Sequence, residues 1–385
     1  MYKTKISLKK YTMLLALVFI MILFQMLIIW QNKGSLFAPS NITNLISQNS
    51  YVVILATGML MCILTGGNID LSVGSIVALV GAIAGTLIVN MKANIYLSIA
   101  ICLLAGTLLG AWQAFWIAYM RIPPFIVTLA GMLTFRGLAL ILLNGLTISP
   151  FPADYTRYFN SYLAFGGALN FSLAIGAVVC AILVVTQLYA RRNKVKKGYT
   201  VEPLALLAVK LLLICAVTIY VSWLLGRDKG IPIILVLLAV VVLAYNYYTS
   251  NTVPGRYLYA MGGNEKAARL SGVDTNRTLF FAYTNMGFLA AIAALVCVAR
   301  FNSAAPSAGT NYEMDAIASC YIGGASAFGG VGTVGGSVIG AVFMGVLNNG
   351  MSILGIDANW QRTVKGLVLL AAVIFDVMSK KRKQA

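Results

Sequence analysis

Apolar runs of about 16 to 25 residues recur along the whole chain, and short polar or glycine-containing segments separate them. A helix of about 20 apolar residues crosses the roughly 30 Å hydrocarbon core of a bilayer. The pattern therefore predicts an all-α polytopic membrane protein with about 12 transmembrane helices, and residues 1–385 are expected to form one transmembrane domain. The predicted spans are 11–30, 44–66, 69–90, 95–119, 124–143, 169–190, 203–225, 231–249, 278–299, 314–329, 333–353 and 359–378.

Composition agrees with a membrane protein, because 60% of the residues are hydrophobic and 10% are charged, against about 25% charged in soluble domains. The sequence contains no histidine, which excludes histidine-dependent catalysis and histidine metal sites. It also lacks the GxxxxGK[ST] phosphate-binding loop, and its ten acidic residues are scattered. We therefore expect no enzyme activity and no metal or cofactor in this chain, which argues against a polytopic membrane enzyme.

The net charge of +18 would indicate nucleic acid in a soluble protein. Here 18 of the 28 Lys and Arg residues fall in loops on one side of the predicted spans, 6 fall on the other side and 4 lie within spans. Cytoplasmic loops of membrane proteins carry such an excess of basic residues. The distribution predicts an even number of spans with both termini cytoplasmic, and it explains the charge without nucleic acid.

The loop 254–277 falls on the predicted cytoplasmic side and contains a short helix pattern. Gly262 and Gly263 are expected to form a flexible turn, and Asn264 is a good N-cap. Strong helix formers follow, and Gly272 ends the run. The helix formers include Glu265, Ala267, Ala268 and Arg269. The residues alone leave two interpretations open, a solvated connector or a helix that docks into a groove on a cytoplasmic partner.

The motif GGNEKAARLSGV in this loop resembles the cytoplasmic coupling loop of the sugar permeases of bacterial ABC importers, the ribose/xylose/galactose group. Three further stretches resemble the same family in the same order, and they lie at 64–82, 121–140 and 312–356. The xylose or multiple-monosaccharide type is the most similar. Shorter members have about ten spans, and the extra segment 191–249, with its basic loop, resembles an inserted hairpin of the longer members.

This resemblance implies a permease subunit that carries a monosaccharide, xylose or a related pentose or hexose, into the cytoplasm across the bacterial inner membrane. It implies an ABC ATPase subunit docked on the coupling loop 254–277, a sugar-binding protein outside the membrane, and a homodimer in the lipid bilayer. The residues alone support only a polytopic transporter. An ion-coupled secondary transporter of a small polar solute is therefore the alternative.

Polar residues within or between the predicted spans are candidates for a translocation path. Asp70 either caps the third span by bonding the amide of Ser72 or Val73, or lines the path as an intramembrane carboxylate. Asn68 and Ser72 lie beside it and offer hydrogen bonds to sugar hydroxyls. Asn348 and Asn349 fall in the eleventh predicted span, where unpaired amides are costly, so they either bond neighbouring helices or face a wet path.

Two further patterns predict packing. Gly332, Gly336 and Gly340 form a doubled GxxxG, which allows close helix packing within the subunit or, as the second interpretation, between two subunits. Gly-Gly breaks at 66–67 and 329–330 precede two small-residue spans, as in transporters built from repeats.

Arg136 lies within a span and is expected to form a structural pair with another group of the protein. Lys365 is expected to reach outward from the last span toward water.

Overall fold

The computed structural model describes residues 12–199, 201 and 203–384, and this part of the chain is almost entirely helical. Its two strands, Tyr162–Leu163 and Ile231–Pro232, form one short antiparallel pair. The helices are α1 (Thr12–Trp30), α2 (Pro39–Leu64), α3 (Val73–Gly85, continued by a π-helical turn Thr86–Asn90), α4 (Ile95–Ala118), α5 (Pro124–Leu143), α6 (Ala153–Asn160), α7 (Ala168–Lys196), α8 (Leu204–Arg227), α9 (Ile233–Asn251), α10 (Val253–Gly263), α11 (Glu265–Leu270), α12 (Thr275–Phe301), α13 (Tyr312–Ile322), α14 (Val334–Ile353) and α15 (Ala358–Gln384).

Within the described residues, ten helices are long and apolar enough to cross a membrane, namely α1, α2, α3 with its π-helical turn, α4, α5, α7, α8, α9, α12 and α14. The polytopic class is thus confirmed, whereas the count of 12 and the orientation of the termini stay predictions. The tenth predicted span, 314–329, is wrong as a continuous helix. Helix α13 has 11 residues, or about 16 Å at 1.5 Å per residue, and the chain after Ile322 is irregular until Val334.

Helix α2 lies at the centre of the fold, and its side chains are buried from Val52 to Leu64. It packs against α9, α12, α13 and α14. Helix α12 lies beside it, and α4 packs closely on α12 through small residues. A Cβ atom on Gly287 would lie 2.3 Å from the carbonyl oxygen of Gly106, so glycine at this crossing permits backbone contact.

Helices α7 and α8 form a peripheral hairpin. They pack mainly against each other, and a Cβ atom on Gly176 would lie 2.4 Å from Ser222 Oγ. Few residues of either helix are buried, whereas α9 packs on α2. The hairpin that stands apart from the core therefore begins before residue 191 and ends before α9, and the insertion of 191–249 stays a prediction.

The predicted glycine face of 332–340 is partly correct. Gly336 approaches the carbonyl oxygen of Gly323, the C-cap of α13, and Gly340 approaches that of Ser319, with added Cβ atoms at 2.3 Å and 1.9 Å. These two glycines therefore pack α14 on α13 within the subunit. The prediction was wrong for Gly332, because α14 begins only at Val334 after the N-cap Thr333. Gly332 therefore lies on the preceding segment and not on the helix face.

Candidate functional site

The segment 254–277 contains two helices. Helix α11 matches the short helix predicted after the N-cap, and Asn264 Oδ1 accepts a hydrogen bond from the Ala267 amide at 3.0 Å. Helix α10 was not predicted, and the predicted flexible turn at Gly262 and Gly263 is wrong, since both residues lie in its last turn. The signal for α10 was present in the sequence: Thr252 caps it and a proline occupies its first turn, both typical of helix starts.

Helix α11 is anchored at its first residue. Glu265 Oε1 lies 2.6 Å from Arg121 Nη1 in the connection between α4 and α5. Arg121 Nη2 also donates to Thr275 Oγ1, at 3.0 Å, at the start of α12. The partner of Glu265 is therefore on another segment, and the helix leaves through Gly272, whose φ of +87° favours glycine.

The side chains of α11 differ in their solvent exposure. Ala268 is 6% exposed and packs against this chain itself, so its side chain is not on the open face of the helix, and its part in ATPase coupling stays a prediction. Ala267 and Arg269 are exposed. Leu270 is 90% exposed, which is unusual for a leucine outside the apolar spans, and it is the apolar side chain that a docking partner would cover.

Five glycines from three segments meet next to the start of this helix, and we call the contact the glycine junction: Gly66, Gly67, Gly262, Gly329 and Gly330. A Cβ atom on Gly262 would lie 1.9 Å from the carbonyl oxygen of Leu64 and 2.3 Å from the Gly330 nitrogen. The Gly330 amide donates to the same Leu64 oxygen at 3.1 Å. The two breaks predicted from the sequence thus contact each other, because a Cβ atom on Gly329 would lie 2.5 Å from Gly66 Cα.

Beside the glycine junction, Asp70 is buried at the start of α3. Its Oδ1 accepts hydrogen bonds from the Ser72 amide at 2.8 Å and the Ser72 hydroxyl at 2.6 Å. Gln113 Nε2 donates to Ser72 Oγ at 2.7 Å, and Asn68 bonds the Thr65 hydroxyl at 3.2 Å. The bond to the Ser72 amide is the one that the capping interpretation predicts, and the path role of these residues stays a prediction.

A polar and aromatic cavity lies beside the N-terminal half of α2. The rings of Tyr51 and Tyr312 stack at 3.8 Å between centroids, and about 20 Å of helix separates Tyr51 from Leu64. The cavity has a volume of about 270 Å³, just below the roughly 300–1,000 Å³ of common small-molecule pockets. It is lined by Leu45, Gln48, Asn49, Tyr51, Arg300, Phe301, Tyr312, Gly345 and Asn348.

The two predicted asparagines of α14 point to different surroundings. Asn348 lines the cavity, and its buried Oδ1 has no hydrogen-bond partner in the described part of the chain. Asn349 exchanges two hydrogen bonds of 2.9 Å with the Asn41 side chain. The predicted path residues are therefore not one cluster, since 68–72 lie at the glycine junction and only Asn348 lines the cavity.

A largely buried ion pair was missed by the sequence reasoning. Lys365 Nζ lies 2.9 Å from Asp315 Oδ1, so the prediction that Lys365 reaches outward to water is wrong. Tyr51, in the cavity wall, donates to Asp315 Oδ2 at 2.9 Å. The two partners are 50 residues apart, and no spacing pattern links them. Arg136 donates to the carbonyl oxygens of Pro306 and Ala308, which confirms structural pairing.

Metal chemistry finds no support in the arrangement of side chains. Across 12–199, 201 and 203–384, no three His, Cys, Asp or Glu side chains come together as ligands would. The polar groups of the site are amides, hydroxyls, one ion pair and the Arg300 guanidinium, which can hold a neutral polar solute by hydrogen bonds. The absence of a bound cofactor stays a prediction.

Comparison with known proteins identifies the family. The model described as branched-chain amino acid transport system / permease component matches residues 41–373. The xylose transport system permease protein XylH of Escherichia coli K12 is 38% identical over 98% of this chain and 94% of its own length, and that of Haemophilus influenzae is 38% identical over 99% and 100%. The ribose import permease protein RbsC of Escherichia coli K12 is 35% identical over 88% of this chain and 86% of its own length.

No solved structure matches the chain. The matches to permeases extend over nearly the whole sequence, and the ten apolar helices fit a multi-pass inner-membrane protein. The resemblance read from the coupling loop and the three other stretches is therefore confirmed. The chain belongs to the family of transport-system permease components that includes these xylose and ribose permeases.

Proposed function

We propose that this chain is the membrane-spanning subunit of an ATP-binding-cassette importer that moves a monosaccharide, xylose or a related pentose or hexose, into the cytoplasm. The names of its xylose and ribose relatives support the substrate class. A separate ATPase subunit hydrolyses ATP and docks on α11, and a sugar-binding protein delivers the substrate from outside. Two copies of the chain form the complete permease.

One observation carries the proposal: α2 and α14 each run from the glycine junction to the cavity. Gly262, at the end of α10, contacts the last carbonyl of α2 and the segment before α14. Tyr259 of α10 also donates to the Gly332 carbonyl oxygen at 3.1 Å. A docked ATPase that moves α11 would therefore also displace α2 and α14 through backbone contacts. Such contacts transmit movement more rigidly than contacts between flexible side chains.

The cavity between the N-terminal half of α2 and the C-terminal half of α14 suits a sugar. Tyr51 and Tyr312 present aromatic surface against which the apolar face of a pyranose packs. The unpartnered Oδ1 of Asn348 accepts a hydrogen bond from a sugar hydroxyl. A neutral solute needs no counter-charge, which agrees with Asp315 being paired already with Lys365.

The docking step is tested by Leu270→Asp, because Leu270 is exposed and its loss leaves the packing of this chain unchanged. The matched control is Val195→Asp, an exposed apolar residue in the basic last turn of α7. After co-expression with the ATPase subunit of the same transport system, Leu270→Asp should lose copurifying ATPase at least tenfold. The control should retain it, and equal retention by both variants would remove α11 as the docking site.

The buried Asp315–Lys365 pair favours a second candidate function, ion-coupled transport, because intramembrane ionisable groups commonly serve proton relays. The double variant Asp315→Asn/Lys365→Met removes both charges together. If the chain is an ATP-driven permease, this variant should retain uptake when ATP and the ATPase are supplied. Loss of all uptake at normal membrane abundance would favour the ion-coupled alternative.

A further inference from the structure

A cleft with no role in the proposed transport path lies between α7 and α8, in the peripheral hairpin. It has a volume of about 490 Å³. Its lining combines three basic side chains and one amide with aliphatic groups: Leu183, Gln187, Ala190, Arg191, Lys194, Val201, Leu207, Lys210, Leu211 and Ile214. The cleft extends from the end of α7 into the apolar part of the hairpin, since Lys210 lies about 9 Å along α8 from Leu204.

The charge around the cleft is strongly positive. Residues 190–210 contain six Lys or Arg and a single acidic residue, Glu202, which gives a net charge of +5. The sequence predicts that this end of the hairpin faces the cytoplasm. A basic cleft at that depth lies where the headgroups of the inner leaflet meet the helix ends.

The remaining surface of the hairpin is exposed and mostly apolar, as expected of a surface in contact with lipid. Val185, Leu212 and Leu213 are more than half exposed, and so are several apolar neighbours on both helices. An occupant of the cleft can therefore enter sideways from the bilayer. Its headgroup would lie against the basic side chains, and its acyl chains would lie along Leu211 and Ile214.

We propose that this cleft binds an anionic phospholipid. A phosphodiester headgroup offers acceptor oxygens to Arg191, Lys194 and Lys210. Arg191 and Lys210 already make an interaction within the chain, but a guanidinium carries five N–H donors and an ammonium three, so each retains donors for a phosphate. The aliphatic lining selects a lipid over free phosphate, because an inorganic ion leaves that surface uncovered.

The test is a titration of the purified full-length protein with phosphatidylglycerol, followed by native mass spectrometry. The variant pair is Arg191→Gln/Lys194→Gln, both in the cleft lining. The matched control is Lys196→Gln/Lys197→Gln, which removes the same charge from the same helix end outside the lining. A basic residue near anionic lipid contributes about a factor of five, so the cleft pair should weaken binding about 30-fold and the control less than about fivefold.

Four outcomes would overturn the proposal. Equal weakening by both pairs would mean diffuse attraction to the basic surface. Equal affinity of the wild type for phosphatidylcholine and phosphatidylglycerol would show that binding does not depend on an anionic headgroup. Full competition by excess inorganic phosphate would assign the site to the free ion, because the charge-assisted hydrogen bonds alone would then account for binding. A dimer that dissociates in the cleft variant, with lipid binding unchanged, would place a second copy of the chain in the cleft.

Discussion

Gly262→Ala is the substitution that most directly introduces a steric clash into the glycine junction. The added methyl group would lie 1.9 Å from the Leu64 carbonyl oxygen, whereas real Cβ contacts below 3.0 Å essentially never occur. The end of α10 must therefore move away from α2 by about 1.1 Å. Overpacking of this kind costs about 1–3 kcal/mol, offset in part by up to about 1 kcal/mol from the better helix propensity of alanine.

The neighbouring residue supplies a matched control. Gly263→Ala makes the same chemical change in the same helical turn, and nothing lies within 4 Å of its added Cβ. We expect Gly262→Ala to insert at normal abundance and to bind the ATPase, because α11 itself is unchanged. Its sugar-stimulated ATP hydrolysis and its uptake per inserted protein should fall at least tenfold, while Gly263→Ala should stay within about twofold of wild type, as expected for a surface substitution.

Membrane abundance, ATPase copurification and uptake are measured on the same preparations. Together they separate loss of folding from loss of coupling. If Gly262→Ala transports as well as Gly263→Ala, the contact between α10 and α2 does not transmit the ATPase movement, and the reasoning from the glycine junction fails.

Three further predictions concern the ion pair, the capped turn and the orientation. Lys365→Met leaves the buried Asp315 carboxylate without its cationic partner and should cost about 3–5 kcal/mol of stability. Thermal unfolding in detergent measures this loss, and adding Asp315→Asn should restore part of it. Equal stability of the single and double variants would contradict the pairing. Asp70→Asn keeps an oxygen acceptor for the Ser72 amide, so the substitution should cost less than about 1 kcal/mol of stability and keep uptake near wild type. Collapse of uptake at normal membrane abundance would instead assign Asp70 to the translocation path. Asn193→Cys should resist a membrane-impermeant maleimide in intact cells, and ready labelling would reverse the topology.

The local features of the fold were predictable where the chain signals them locally. Helix α11 follows from Asn264 and the helix formers after it, and the breaks at 66–67 and 329–330 follow from paired glycines. The tenth span was wrong because apolar composition continues through Gly323 and Gly324, and hydropathy does not register the loss of helical backbone. Helix α10 was overlooked because its final glycines resemble a turn.

The contacts between distant segments were not predictable from one sequence. Arg121 pairs with Glu265 across 144 residues, and Asp315 pairs with Lys365 across 50. Neither spacing corresponds to a helix face, since such pairings arise only when the helices pack. The meeting of Gly262 with the two breaks is of the same kind.

The central claim is that ATP hydrolysis by a partner drives sugar through this chain. The most direct measurement is uptake of labelled xylose by proteoliposomes that contain the purified permease, the ATPase subunit and the sugar-binding protein. The account predicts accumulation that requires ATP and all three components, and none when the permease alone is given a proton gradient. Accumulation by the permease alone, driven by that gradient without ATP, would contradict it.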